Sequence, residues 1–460
     1  MSEAHREGPR PPRKVEEKHG SEGAEGTGET PTEGIGRRDF LRTTGLGAGG
    51  LAMAGGLGGI LAACGDERAP GILRRGPEVA VIGAGVFGTW AALELQRAGA
   101  RVTLIDLYGP GNSRATSGDE TRGVRSSYAG RPLWVEWANR AMERWREFDR
   151  EYAAEMGGEV FFTTGDLILR DTWEGFLDGI AEVWDEVGVE YERLDGDEIG
   201  RRWPQIHAPE MEHALYEPGA GVARSRVACQ RVAQLFEREG GEVRFARAEL
   251  GDAEGGRLRT VALDDGSSMG ADRFVFALGP WFPKAFPEIM AERIRMTTMG
   301  HVYYYGTPPG DSRFSVPNMP SWNVPGVTGW ASIPPDHRGF RLRTGGRSAD
   351  DPDTSVRWIP EDYHEQPMGI LENYFPALAN QPLVETRACH YESSWTRDWI
   401  IDRHPELENV WFAGGGSAEG FKFGPMLGEL IAGRVLDDDR YPEHTALWRL
   451  DPVDDEGASE

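Results

Sequence analysis

Glu78-Val79-Ala80-Val81-Ile82-Gly83-Ala84-Gly85-Val86-Phe87-Gly88 is the stretch that decides the fold. Its first five residues form an apolar run of the kind a buried parallel strand requires, and Thr89 to Ala98 reads as the helix that follows the glycines. Arg101 to Ile105 reads as a second strand, ended by Asp106. Gly83 permits the tight turn, Gly85 lets backbone approach a pyrophosphate, and Gly88 lets helix and strand pack closely. The helix N-terminus offers unpaired N–H groups and the positive end of its dipole to phosphates. Asp106, about 20 residues on, is placed to accept hydrogen bonds from a ribose diol, which favours a free 2′-hydroxyl over a 2′-phosphate. Strand, glycine loop, helix and acid together predict a dinucleotide site in a Rossmann-like α/β domain.

Further along, Ser117-Gly118-Asp119-Glu120-Thr121-Arg122-Gly123-Val124-Arg125 places two arginines three apart. On a turn or short helix they would share a face and bind a carboxylate or phosphate; a solvated basic face is the plainer reading. Near the other end, Asn409 to Ala413 reads as a strand and Met426 to Val435 as a helix. The glycine-rich loop between them, Gly414 to Pro425, offers backbone amides to a ligand.

Composition bounds the rest. The 460 residues carry 50 basic and 75 acidic side chains, a net charge of -25. Such a surface repels phosphate, which excludes a general nucleic-acid binder, and it disfavours adhesion to anionic lipid. A hydrophobic fraction of 39% with 15 Trp excludes a wholly disordered chain. Eight basic and nine acidic residues precede Cys64, leaving 42 against 66 in the remainder, so the acidity belongs to the later chain. It implies a solubilising acidic surface around a locally positive pocket. Only Lys14, Lys18, Lys284 and Lys422 are lysines, beside 46 arginines, which singles out Lys422 within its glycine loop. Cys64, Cys229 and Cys389 are too few for a disulfide framework or zinc cluster. His337, His390 and His404 have no metal-ligand spacing, so no metal is expected.

Residues 1–36 lack aromatics and are expected to be disordered. Arg37-Arg38-Asp39-Phe40-Leu41, followed by an uncharged, glycine-rich run, resembles a twin-arginine export signal over residues 37–64. Leu61-Ala62-Ala63-Cys64-Gly65 resembles a lipoprotein cleavage box with Cys64 lipidated; a plain cut near Ala63 is the alternative. The expectation is an exported, extracytoplasmic protein, handled by the twin-arginine translocation machinery and held at the membrane by lipid. The residues beyond Asp451 should fray.

Taken in order, the glycine loop, Thr121-Arg122-x-x-Arg125, Arg202-Trp203-Pro204, Tyr216 to Gly221, Ala277 to Trp281, Cys389-x-Tyr391 and Gly420-Phe421-Lys422-Phe423 carry a resemblance. Over residues 78–437 the chain resembles the monomeric sarcosine oxidase and N-methyltryptophan oxidase group of D-amino-acid-oxidase-like flavoproteins. That resemblance implies FAD, with Gly83, Gly85, Gly88, Asp106, Arg122, Cys389, Gly414 and Gly420 at the cofactor. It implies that Arg125 and Lys422 hold a substrate carboxylate, that Tyr391 lines the substrate pocket, and that Cys389 joins the flavin through a thioether. It also implies an interleaved fold: a Rossmann-like FAD domain from 77–130, 215–285 and 385–437, and an α+β substrate domain with a mixed or antiparallel sheet from 131–214 and 286–384. One departure stands out. Gly339-Phe340-Arg341-Leu342 places Arg341 where the group's oxidases carry an oxygen-activating lysine.

The implied activity is oxidation of an amino-acid C–N bond to an imine, with oxygen accepting the electrons. Alternatives are a dehydrogenase passing electrons to a quinone, for which Arg341 is the motive, and a non-catalytic flavoprotein. His301, Tyr303 and Tyr305 alternate along a strand; pocket floor and core face are both open to them. Trp330 reads as a bulky pocket residue and Cys229 as core.

Overall fold

The structure is a computed structural model describing residues 76–347, 351–438, 440–444 and 447–450. The paired arginines, Cys64, the leader and the acidic tail lie outside the described residues. Among those described, no helix is long and apolar enough to cross a membrane.

The opening stretch builds the centre of a six-stranded sheet. Glu78–Ile82 lies between Arg101–Asp106 and Arg273–Phe276, with Glu242–Phe245 outside the former and Val410–Gly414 outside the latter. These five strands run parallel, and Ile400–Arg403 caps the edge antiparallel. Continuous apolar strands fit this arrangement because both faces are covered: Val79 and Val81 enter one core, Ala80 and Ile82 another. The helix begins at Val86, three residues before the predicted start, because Gly85 already serves as its cap, and ends at Arg97. Helix Gly424–Val435 packs against it; a Cβ on Gly428 would lie 2.8 Å from the Trp90 backbone oxygen and one on Gly424 2.8 Å from the Trp90 indole, so these two glycines let the helices approach closely.

An eight-stranded mixed sheet forms the second layer. Its order is Leu383–Ser394, Ile294–Tyr305, Phe340–Thr344, Val327–Trp330, Ser321–Val324, Asp166–Arg170, His213–Glu217 and Glu192–Asp195. Neighbours are antiparallel except Ser321–Val324 beside Asp166–Arg170. Strand pairing and helix packing cross three of the predicted domain boundaries. Leu383–Ser394 pairs with Ile294–Tyr305 and His213–Glu217 with Asp166–Arg170, so both belong to the larger sheet rather than to the dinucleotide unit. The long helix Pro132–Met156, expected in the substrate unit, buries Trp134, Trp137 and Trp145 in the core beneath helices Val86–Arg97 and Gly424–Val435. Sequence order cannot separate these cases, because a strand's sheet is fixed by a partner far along the chain.

The core alternative holds for Tyr303 and Tyr305, which enter the apolar cluster on the far side of the sheet, Tyr303 donating to the Tyr363 carbonyl at 2.9 Å. His301 on the same face is fully buried against Tyr363. Cys229 is likewise core, and burial pushes its thiol up to about 12.

Candidate active site

The glycine loop opens onto a cavity of about 590 Å³ lined by Gly83, Gly85, Asp106, Arg122, Tyr391, Glu392, Gly414 and Gly420, among others. Its walls test whether a dinucleotide fits. Gly83 holds φ at +103°, and a Cβ there would lie 2.3 Å from the Ala277 carbonyl oxygen. A Cβ on Gly88 would lie 1.8 Å from the Gly83 oxygen, so glycine is required for helix and loop to meet. Gly85 has room, its nearest neighbour being Ser117 Oγ at 3.5 Å; its missing side chain leaves space in the cavity itself. On the opposite wall, Cβ atoms on Gly414 and Gly420 would strike Phe282 and Phe87. The cradle is elongated and made of backbone, as a dinucleotide needs.

Asp106 fixes the cradle's shape as well as facing it. Its Oδ2 accepts from the Ala84 N–H at 2.9 Å, and its Oδ1 accepts from the Tyr108 and Gly109 N–H groups at 2.8 Å each. Burial raises its pKa, opposed by these bonds. Glu392, which sequence reading assigned no role, is buried at the cavity wall, where its carboxylate accepts from Thr116 Oγ1 at 3.1 Å and the Gly416 N–H at 3.2 Å.

The two arginines of Thr121-Arg122-x-x-Arg125 do not share a face. Arg122–Val124 is a short strand rather than a turn, and the two side chains part there. Arg122 lines the cavity, donates to the Thr116 carbonyl at 2.5 Å, pairs with Asp119 and places Nη2 4.0 Å from the buried Cys389 sulfur. Arg125 instead donates to Ser127 Oγ at 2.7 Å beside Tyr128.

Lys422 lies within electrostatic reach of Arg125 in a second cluster, and it follows in the chain Gly420 and Phe421, which line the cavity. Its side chain is buried, its ammonium donates to the Tyr128 hydroxyl at 2.6 Å, and it forms an ion pair with Glu419. Tyr128 also donates to Glu419, at 2.8 Å. Burial opposes ionisation of Glu419, yet Lys422 and Arg125 hold its pKa down to about 2. The loop is pinned from beneath: the Trp145 indole donates to the Lys422 carbonyl at 2.9 Å and stacks on Phe421. Asp166 and Glu217, cross-strand neighbours, are buried within electrostatic reach of Arg125. Burial pushes Glu217 up to about 7, even though it accepts from Ser126 N–H and Oγ. The expected positive pocket is thus corrected: two cations face three carboxylates.

Arg341 is 1% exposed, pairs with Asp119 at 2.9 Å and stacks over Trp330 at 4.0 Å. It is separated from the cavity-lining Arg122 by the Asp119 they share. Trp330, in turn, donates to Thr121 Oγ1 at 3.0 Å. Two of the residues that sequence reading missed, Asp119 and Glu419, each stand three before a cation they pair with, Arg122 and Lys422. That spacing was the available signal.

A Rossmann-like sheet, a backbone cradle for a dinucleotide and a buried charged pocket at its end define a flavin-dependent oxidoreductase. The profile of the family described as FAD dependent oxidoreductase (DAO) matches residues 78–434, and the chain belongs to that family. It is an FAD-dependent enzyme related to amine oxidases. It is 29% identical over 368 residues to monomeric sarcosine oxidase of Bacillus sp. (strain B-0618), covering 78% of this chain and 92% of the relative. It is 27% identical over 365 residues to N-methyl-L-tryptophan oxidase of Escherichia coli O139:H28 (strain E24377A / ETEC), covering 77% and 94%. In fold it is similar to fructosyl amine:oxygen oxidoreductase (Amadoriase I) from Aspergillus fumigatus, with a TM-score of 0.70, 21% identity and coverage of 84% and 91%. Glycine oxidase from Bacillus cereus ATCC 14579 matches with a TM-score of 0.66, 16% identity and coverage of 79% and 96%.

Proposed function

We propose that this enzyme oxidises the C–N bond of an amino acid or N-alkyl amino acid. The net reaction takes the amine and oxygen to an imine and hydrogen peroxide, and water then hydrolyses the imine. The observation that carries this reading is Arg125: among the described residues its hydrogen bonds go only to Ser127 and it has no ion pair, although it is half-buried near acidic groups. A guanidinium with open donors there is a seat for a substrate carboxylate. Bound FAD supplies the electron-accepting chemistry. The chain orients: Gly83, Gly85 and Gly88 hold the pyrophosphate region, Arg122 and Tyr391 face the cavity, and Arg125 fixes the substrate by its carboxylate. Anaerobic mixing with a panel of N-methyl and primary amino acids tests this. At least one should bleach the flavin and yield peroxide on readmission of air; no bleaching across the panel would refute it.

Two finer readings belong here. Cys389, buried beside Arg122, supports a covalent thioether to the flavin; acid precipitation should leave yellow protein, and all flavin in the supernatant would refute the link. Arg37-Arg38 and the segment ending at Cys64 support twin-arginine export with a lipid anchor. Replacing both arginines by lysine should retain the protein in the cytoplasm, as read by fractionation.

A further inference from the structure

The charges around Arg125 do not balance for a simple substrate. Lys422 is neutralised by Glu419 before any ligand arrives. A substrate carboxylate neutralises Arg125. The reacting amine gives up its positive charge before its C–H bond breaks, so it adds nothing. Asp166 and Glu217 are then left beside a neutralised Arg125, while burial raises the pKa of each and favours its protonated form. Asp166 is 4% exposed, and its Oδ2 has no partner among the described residues. Neither acid is open to a ligand, but Glu419 is: its side chain keeps 23% of its surface exposed. Both bonds it accepts, from Lys422 and from Tyr128, fall on Oε2. Oε1 has no partner among the described residues. A carboxylate oxygen held ionised, open and next to a substrate seat is an acceptor for a cation.

We propose that Glu419 is a specificity-determining residue whose open Oε1 receives a second positive charge, an ammonium or guanidinium on the side chain of an amino-acid substrate whose carboxylate lies on Arg125. This rests on the amino-acid oxidation proposed above and names its substrate class. Asp166 and Glu217 set the negative potential that a neutral or acidic side chain would meet.

Binding to the holoenzyme tests it, read from the shift in flavin absorbance with two carboxylates that carry no α-amine, 4-guanidinobutanoate and hexanoate. The guanidinium compound should bind at least 10-fold tighter. In Glu419→Gln, with its flavin spectrum intact, the two should bind within twofold; Glu419→Asp, which keeps the charge and serves if the amide variant fails to fold, should retain part of the preference. Equal or tighter binding of hexanoate, no binding of the guanidinium compound, or a preference that survives Glu419→Gln would overturn the role of Glu419. Flavin bleaching by amines alongside any of these would leave the oxidation reading standing. No bleaching by any amine would remove that reading as well.

Discussion

The two ends of the cavity are built from different materials. At the dinucleotide end the ligand meets backbone, and the requirement is absence: no Cβ at Gly83 or Gly88. Beyond Gly420 and Phe421, which line the cavity, stands a cluster of side chains, Arg125, Lys422, Glu419 and Tyr128, brought together from segments almost 300 residues apart. The first end tolerates almost no change in shape and little depends on its charge.

The largest expected effect breaks the first end. Gly88→Ala should give no cooperatively folding, flavin-bearing protein, because its Cβ would have to displace the Gly83 carbonyl. Gly85→Ala should fold and merely bind FAD more weakly. Flavin content and a thermal melt of the purified variants separate the two, and equal behaviour would erase the distinction. Next comes the seam between the ends. Asp119 is shared by buried Arg122 and Arg341, so Asp119→Asn leaves two cations under-compensated and should cost about 3–5 kcal/mol in urea unfolding.

At the second end, Arg125→Gln should lower kcat/KM by about 30- to 1,000-fold and cost less stability than loss of Lys422, since Arg125 forms no ion pair among the described residues and only lies within electrostatic reach of Asp166, Glu217 and Glu419. Lys422→Met should instead lose stability as well as activity, since it strands Glu419. Equal stability of these two variants would break the contrast. The smallest effect is a pH dependence. The pKa of Glu217 is higher folded than unfolded, so the stability it contributes is present below about pH 4.5 and is lost as pH rises through about 7. Relative to Glu217→Gln, the wild type should therefore lose roughly 2–3 kcal/mol between pH 5 and pH 8. A constant difference between the two proteins would refute it.

The contrast also explains what could be read from the sequence. The glycine cradle and Asp106 were legible because backbone chemistry is local: eleven consecutive residues set turn, approach and helix start. Arg125 and Lys422 were singled out by spacing and by the scarcity of lysine, and resemblance supplied their role; their partners were not legible, since Tyr128, Asp166 and Glu217 reach them by tertiary pairing. Arg122 and Arg125 show the cost of a wrong period. Read as a turn they share a face; as a strand they part, one to the cavity and one to the carboxylates. The placement of Leu383–Ser394 failed likewise, because nothing in that strand says that Ile294–Tyr305 will be its neighbour.

The order of strands in the six-stranded sheet has a consequence for the chain's biogenesis. Glu78–Ile82 leaves the ribosome early, but its layer is not complete until Val410–Gly414 has emerged, more than 300 residues later. Gly414 and Gly420, which form the far wall of the cavity, arrive with it. The cavity therefore cannot close around FAD until Gly414 and Gly420 have emerged, more than 300 residues after the glycine loop that forms its other wall.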